Sequence, residues 1–124
     1  MSKSIGILLA NTGTPDAPTP KAVRRFLAQF LADLRVIEMP RWKWLPILHG
    51  IILNTRPRRS AKLYQEVWDE RGSPLLYHTQ DLAKNLEAEL RARSPEKQIN
   101  VAIGMGYGNP SIKKALDELR EKGA

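Results

Sequence analysis

The sequence predicts an α/β fold built on parallel strands, and three observations carry that reading. The first is a pair of short, almost wholly apolar runs, Ile5 to Ala10 and Ile99 to Ile103, of the kind required by a strand covered on both faces. The second is that each run empties into turn residues: Asn11-Thr12-Gly13-Thr14-Pro15-Asp16 after the first, Gly104-Met105-Gly106-Tyr107-Gly108-Asn109-Pro110 after the second. The third is that helical periodicity fills the chain between and after them. Strands are therefore expected over about 4–11 and 98–104, with about five helices. In open α/β sheets ligands collect beyond the carboxyl ends of the strands, so the two loops expected there are where a site would form.

The first expected helix starts at Thr19-Pro20, a hydroxyl N-cap followed by a proline whose missing N–H costs nothing at that position. Val23, Phe26, Leu27, Phe30 and Leu31 then recur at three and four residues, and the helix ends near Asp33. Val36-Ile37 reads as a short extended piece. The dense apolar stretch from Trp42 to Leu53 is punctuated by Pro46 and Gly50. A further helix is expected from Pro57 to a stop at Gly72, with Ala61, Tyr64, Val67 and Trp68 on one face. Ser73-Pro74 turns the chain, and Leu82, Leu86, Glu89 and Leu90 mark a helix over about 76–93. After the second strand, Asn109-Pro110 repeats the cap-then-proline start, with Ile112, Ala115, Leu116 and Leu119 as the buried face.

Two strands leave both sheet edges unpaired and much helical apolar surface without a sheet to cover. The pattern thus reads as the opening part of a larger α/β lobe, with no internal boundary across residues 1–124.

Composition excludes whole classes of function. With no cysteine, neither a disulfide framework nor a thiolate metal centre is available. No signal-like segment precedes the first strand, and no run approaches the roughly 20 apolar residues of a membrane span, so a cytoplasmic setting is expected. The formal net charge of +7 favours anionic partners.

Arg56, Arg58 and Arg59 cluster ahead of Tyr64, and guanidinium forks pair with carboxylate or phosphate. On charge alone such a cluster is more often an ordinary solvated loop, and residues placed like Tyr64 and Trp68 are more often core than a ligand platform. Neither Gly-rich loop fits a nucleotide fingerprint, and no Ser-His-Asp triad is visible in the spacing. His49 and His78 lie in separate segments with no carboxylate at ligand spacing, so no metal site is expected from them.

Five strings taken together are more specific. Gly6-Ile7-Leu8-Leu9-Ala10-Asn11-Thr12-Gly13-Thr14-Pro15, Arg35-Val36-Ile37-Glu38, Arg56-Pro57-Arg58-Arg59-Ser60-Ala61-Lys62-Leu63-Tyr64, Gly72-Ser73-Pro74-Leu75 and Gly104-Met105-Gly106-Tyr107-Gly108-Asn109-Pro110-Ser111-Ile112 occur in that order. So arranged, the chain closely resembles the amino-terminal third of bacterial ferrochelatase. The resemblance implies insertion of ferrous iron, as substrate, into a protoporphyrin-type porphyrin in haem biosynthesis, with no covalently bound cofactor. It also implies two similar α/β lobes around a porphyrin cleft, with this chain the first part of the first lobe and the remainder of the ferrochelatase chain its partner. By the same resemblance Thr12 faces the porphyrin centre, Arg56 and Tyr64 contact the macrocycle and its propionates, and Ser73 and Tyr107 complete the porphyrin-binding set. A flat apolar ligand with anionic arms suits apolar walls, aromatic contacts and arginine at the rim.

Two departures qualify the match. Gly106 stands where many relatives carry Arg, and the family's catalytic histidine and glutamate lie beyond residue 124. No catalytic or metal-ligating residue is therefore assigned within this chain, which alone is expected to be inactive. The apolar Trp42–Leu53 stretch suits a core, a cleft lip or peripheral contact with the inner membrane. The alternative is a small basic non-catalytic module for anionic lipid or nucleic acid. Between these, Trp42, Trp44 and the Ile/Leu run suit a greasy cleft lip or membrane contact, whereas nucleic-acid surfaces interleave aromatics with Lys and Arg, and no nucleic-acid partner is expected.

Overall fold

The computed structural model describes residues 4–124. Element order is β1 (Ser4–Thr14), α1 (Pro20–Leu31), α2 (Arg41–Ile47), a π turn (Leu48–Ile52), α3 (Leu53–Val67), α4 (Pro74–Arg93), β2 (Gln98–Gly108) and α5 (Ile112–Glu121). The chain packs as two compact units. One holds the described residues up to Gly13 with Leu75–Ala124, and the other is Thr14–Pro74.

In the first unit β1 and β2 pair as a two-stranded parallel sheet. Both strands outrun their expected ends at about 11 and 104, so the first part of each expected loop is strand. Glycine is the physical reason. A Cβ on Gly13 would stand 1.9 Å from the Tyr107 carbonyl oxygen, and one on Gly106 would stand 3.4 Å from that of Thr12. Read as a turn residue in the sequence, Gly13 instead lets two backbones close on each other and prolongs the pairing, while a Cβ at Gly106 would make only an ordinary contact. The contacts advance in step, 12 beside 106 and 13 beside 107, as a parallel register requires.

Helix α5 lies against β2, and Ala102, Ala115 and Leu119 form a small core with Leu8. Its expected face is half right: Ala115 and Leu119 are buried, whereas Leu116 is 47% exposed. Its cap is Ser111, whose Oγ accepts from the Lys114 N–H at 3.1 Å, rather than the expected Asn109. The loop turns back before the helix starts, because the Pro110 carbonyl is taken by the Met105 N–H at 2.7 Å. Helix α4 begins at Pro74, two residues before the expected start, and buries Thr79 and Ala83 while Leu82 stays exposed. It ties β2 by side chains: Arg91 Nε donates to the Ile99 carbonyl at 2.8 Å, and the Val101 N–H donates to Glu87 Oε2 at 3.4 Å.

The second unit is helical. Thr19 caps α1 as expected, its Oγ1 accepting from the Ala22 N–H at 3.3 Å, and Val23, Phe26 and Leu31 are buried. Val36 and Ile37 are not extended; both of their amides donate to the Asp33 carbonyl, closing a turn. From Arg41 to Val67 the backbone is helical almost without a break, through the π turn. Because α3 is fed by that turn, it starts at Leu53, and Pro57 lies inside it instead of opening it. At the other end α3 stops at Val67. Gly72, the expected stop, closes a separate reverse turn with Asp69 at φ +100°.

The apolar Trp42–Leu53 stretch divides by face. Leu48 and Leu53 pack with Leu31, and the Trp44 indole N–H donates to the Leu31 carbonyl at 2.6 Å. Trp42 is 75% and Ile51 59% exposed.

Candidate functional site

At the carboxyl ends of the two strands the first unit brings Thr12 and Tyr107 together. Thr12 is exposed near the end of β1, and its carbonyl faces Gly106, the residue next to Tyr107. Both expected site residues thus stand on strand ends and not in free loops, which fixes them more firmly than a loop would. Gly13 is held at φ +127° between them, a conformation that side-chain-bearing residues rarely adopt. The end of β1 is braced by Asn11, whose Oδ1 accepts from the Thr12 N–H at 2.8 Å and whose Nδ2 donates to Thr79 Oγ1 at 3.3 Å.

In the second unit α3 carries the other candidates. Arg56 and Tyr64 are eight residues apart, slightly over two helical turns, and so share a face about 12 Å long. Between and beyond them on that face stand Ser60, Leu63 and Val67, which line a shallow groove with Tyr64. Leu63 is 61% and Val67 57% exposed, so this is an apolar strip facing outward with an arginine at one end. The sequence reading put Val67 on one face with Ala61, which is buried, and passed over Leu63. The i, i+4, i+7, i+8, i+11 spacing from Arg56 held the signal for both. Tyr64 meets Trp68 edge to face, with ring centroids 6.5 Å apart. Burial penalises its phenolate and raises its pKa above the usual value of 10, so the ring stays neutral at physiological pH.

Ser73 is placed differently from these. It is buried, and its hydroxyl shares a 2.8 Å hydrogen bond with that of Thr14, the last residue of β1. The two histidines stay apart from any acid cluster: His78 stacks at a tilt on Tyr77, 4.6 Å between centroids, and His49 lies exposed on the π turn. Among the described residues no group of three His, Asp or Glu side chains is placed to hold a metal ion. No helix among them is long and apolar enough to cross a membrane.

These features define an α/β protein with polar and aromatic side chains at the carboxyl ends of parallel strands in one unit and an arginine-ended apolar strip on a helix of the other. Comparison with known proteins narrows the class. The family model for ferrochelatase matches residues 4–124. Ferrochelatase 1 of Shewanella oneidensis is 54% identical over 123 residues, covering 99% of this chain and 36% of the relative. The coproporphyrin III ferrochelatase of Symbiobacterium thermophilum is 55% identical over 114 residues, 92% of this chain and 34% of the relative. A ferrochelatase of Nitrosococcus oceani is 54% identical over 120 residues, 97% of this chain and 32% of the relative. The chain belongs to the ferrochelatase family, and it spans about a third of the length of these relatives.

Proposed function

We propose that the protein is a ferrochelatase, inserting ferrous iron into a protoporphyrin-type porphyrin, and that residues 1–124 contribute porphyrin-binding surface to it. The observation that carries the reading is the outward apolar strip of α3, with Arg56 at one end and Tyr64 in the middle. A flat macrocycle lies against Leu63, Tyr64 and Val67 by apolar and aromatic contact, while a propionate reaches the Arg56 guanidinium. The family resemblance also assigns porphyrin contacts to Thr12 and Tyr107 at the strand ends of the other unit. Ser73 serves through its bond to Thr14, which fixes the point where the chain leaves β1.

The chemistry exchanges two pyrrole N–H protons for one ferrous ion, so it requires a base near the macrocycle centre. In this reading, as the family resemblance implies, that base comes from the portion of the relatives' length that the chain does not span. Iron enters and leaves as substrate and product. The exposed Trp42, Ile47 and Ile51 suit peripheral contact of a cytoplasmic enzyme with the inner membrane.

The test is metal insertion by the complete protein under anaerobic conditions, followed by the loss of porphyrin fluorescence. Insertion well above the rate without protein is expected. Arg56→Ala should raise KM for porphyrin about tenfold and leave kcat within about twofold, because it removes a contact made before chemistry. A rate no higher than that without protein overturns the reading.

A further inference from the structure

A chain of hydrogen bonds in the sheet unit reaches Thr12 from a residue that no site reading includes. Thr79 is buried on α4, and its hydroxyl donates to the Leu75 carbonyl at 2.7 Å. A hydroxyl has one proton, so with that proton committed Thr79 Oγ1 offers Asn11 only a lone pair. The Asn11 amide must therefore turn its NH2 toward Thr79, as it does at 3.3 Å. That choice leaves Oδ1 to accept from the Thr12 N–H at 2.8 Å. The orientation of an exposed asparagine near the end of β1 is thus set by a buried hydroxyl 68 residues further along the chain.

We propose that Thr79 is a positioning residue for the porphyrin site, acting through Asn11 to hold the backbone of β1 in the conformation that presents Thr12. The proposal rests on the ferrochelatase reading for what Thr12 faces, but the hydrogen-bond relay stands independently of it. Thr79 touches no substrate. Its hydroxyl decides which way Asn11 points, and Asn11 occupies the amide that would otherwise leave Thr12 free to swing. Gly13, next in the chain and packed on the Tyr107 carbonyl, makes the segment sensitive to small changes in backbone direction.

The experiment compares Thr79→Val, which keeps shape and removes the hydroxyl, with Thr79→Ser, which keeps the hydroxyl, both in the complete protein. Amide hydrogen exchange at Thr12, read by NMR, tests the relay without any assay of activity. The Val variant should exchange about tenfold faster there, and the Ser variant should match the parent. Unchanged exchange in the Val variant overturns the proposal, whatever the enzyme does. Steady-state metal insertion then tests the functional step: the Val variant should lose about tenfold in kcat at unchanged KM for porphyrin, with recovery in the Ser variant. Faster exchange with kcat intact also overturns it, since Thr79 would then hold the strand without serving the reaction. If the parent protein inserts no metal, the ferrochelatase reading fails, and with it the proposed role at a porphyrin site, while the exchange result still decides whether the relay exists.

Discussion

Gly13 in the sheet unit and Gly50 in the helical unit are the same residue under opposite constraints. A Cβ at Gly13 would collide with the Tyr107 carbonyl at 1.9 Å, in a backbone already at φ +127°, whereas one at Gly50 would meet nothing within 4 Å. The sheet unit is held at the carboxyl ends of its strands by backbone approaching backbone, where no side chain fits at Gly13. The helical unit is held by side chains, with Leu31, Leu48 and Leu53 as its centre, and its backbone tolerates a π turn in the middle of a helical run.

Alanine substitution at the two glycines should break that symmetry most visibly. Gly13→Ala is expected to destabilise the complete protein by about 4 kcal/mol, from clash and left-handed strain together. Gly50→Ala should be neutral or stabilising by up to about 1 kcal/mol, as Gly to Ala inside helices is. Similar shifts in the urea midpoints of the two variants would remove the distinction.

Side-chain deletion reverses the comparison. Leu48→Ala, at a fully buried position, should cost about 3 kcal/mol by leaving a cavity. Ile51→Ala, three residues on and 59% exposed, should stay within about 0.5 kcal/mol. Thermal unfolding of the pair shows whether the π turn divides buried from exposed positions as described.

The helix caps make smaller, matched contributions to the two units. Thr19→Ala and Ser111→Ala each remove one hydroxyl acceptor from a first-turn amide and should cost about 1 kcal/mol. A large inequality between them would show that one cap also carries tertiary load.

Tyr64 gives the smallest effect and one confined to high pH. Burial raises its folded-state pKa above its value in the unfolded chain, so folding disfavours the phenolate. Its contribution to stability is complete below the unfolded value of about 10 and is lost as pH rises through the higher folded value. Between pH 6 and 9 the stability of Tyr64→Phe, relative to the parent, should be independent of pH. Above 10 the parent should lose more than the variant in denaturant titrations.

Local signals were legible in the sequence, and long-range ones were not. Thr19-Pro20 and the spacing from Val23 to Leu31 located α1, because capping and amphipathic periodicity depend only on near neighbours. The existence of both strands was readable, but their ends were not. A glycine that allows a turn and a glycine that allows close approach look alike until the partner strand is known. The π turn defeated face assignment from Trp42 to Leu53, since one wider turn rotates every later residue away from a 3.6-residue pattern. At the candidate site Tyr64 was readable as helical, whereas Arg56, expected just ahead of a helix starting at Pro57, was not, because the π turn feeds α3 from Leu53. The bond between Ser73 and Thr14, 59 residues apart, and that between Asn11 and Thr79, 68 apart, leave no mark in the local sequence.

The central claim is that the α3 strip takes a porphyrin with Arg56 on a propionate. Its most direct test is an equilibrium titration of porphyrin fluorescence with the complete protein and its Arg56→Ala variant, using a propionate-bearing porphyrin and the corresponding diester. The parent should prefer the free acid by about tenfold, equivalent to about 1.4 kcal/mol, and the variant should show little or no preference. An undiminished preference in the variant would contradict the claim by placing propionate recognition elsewhere.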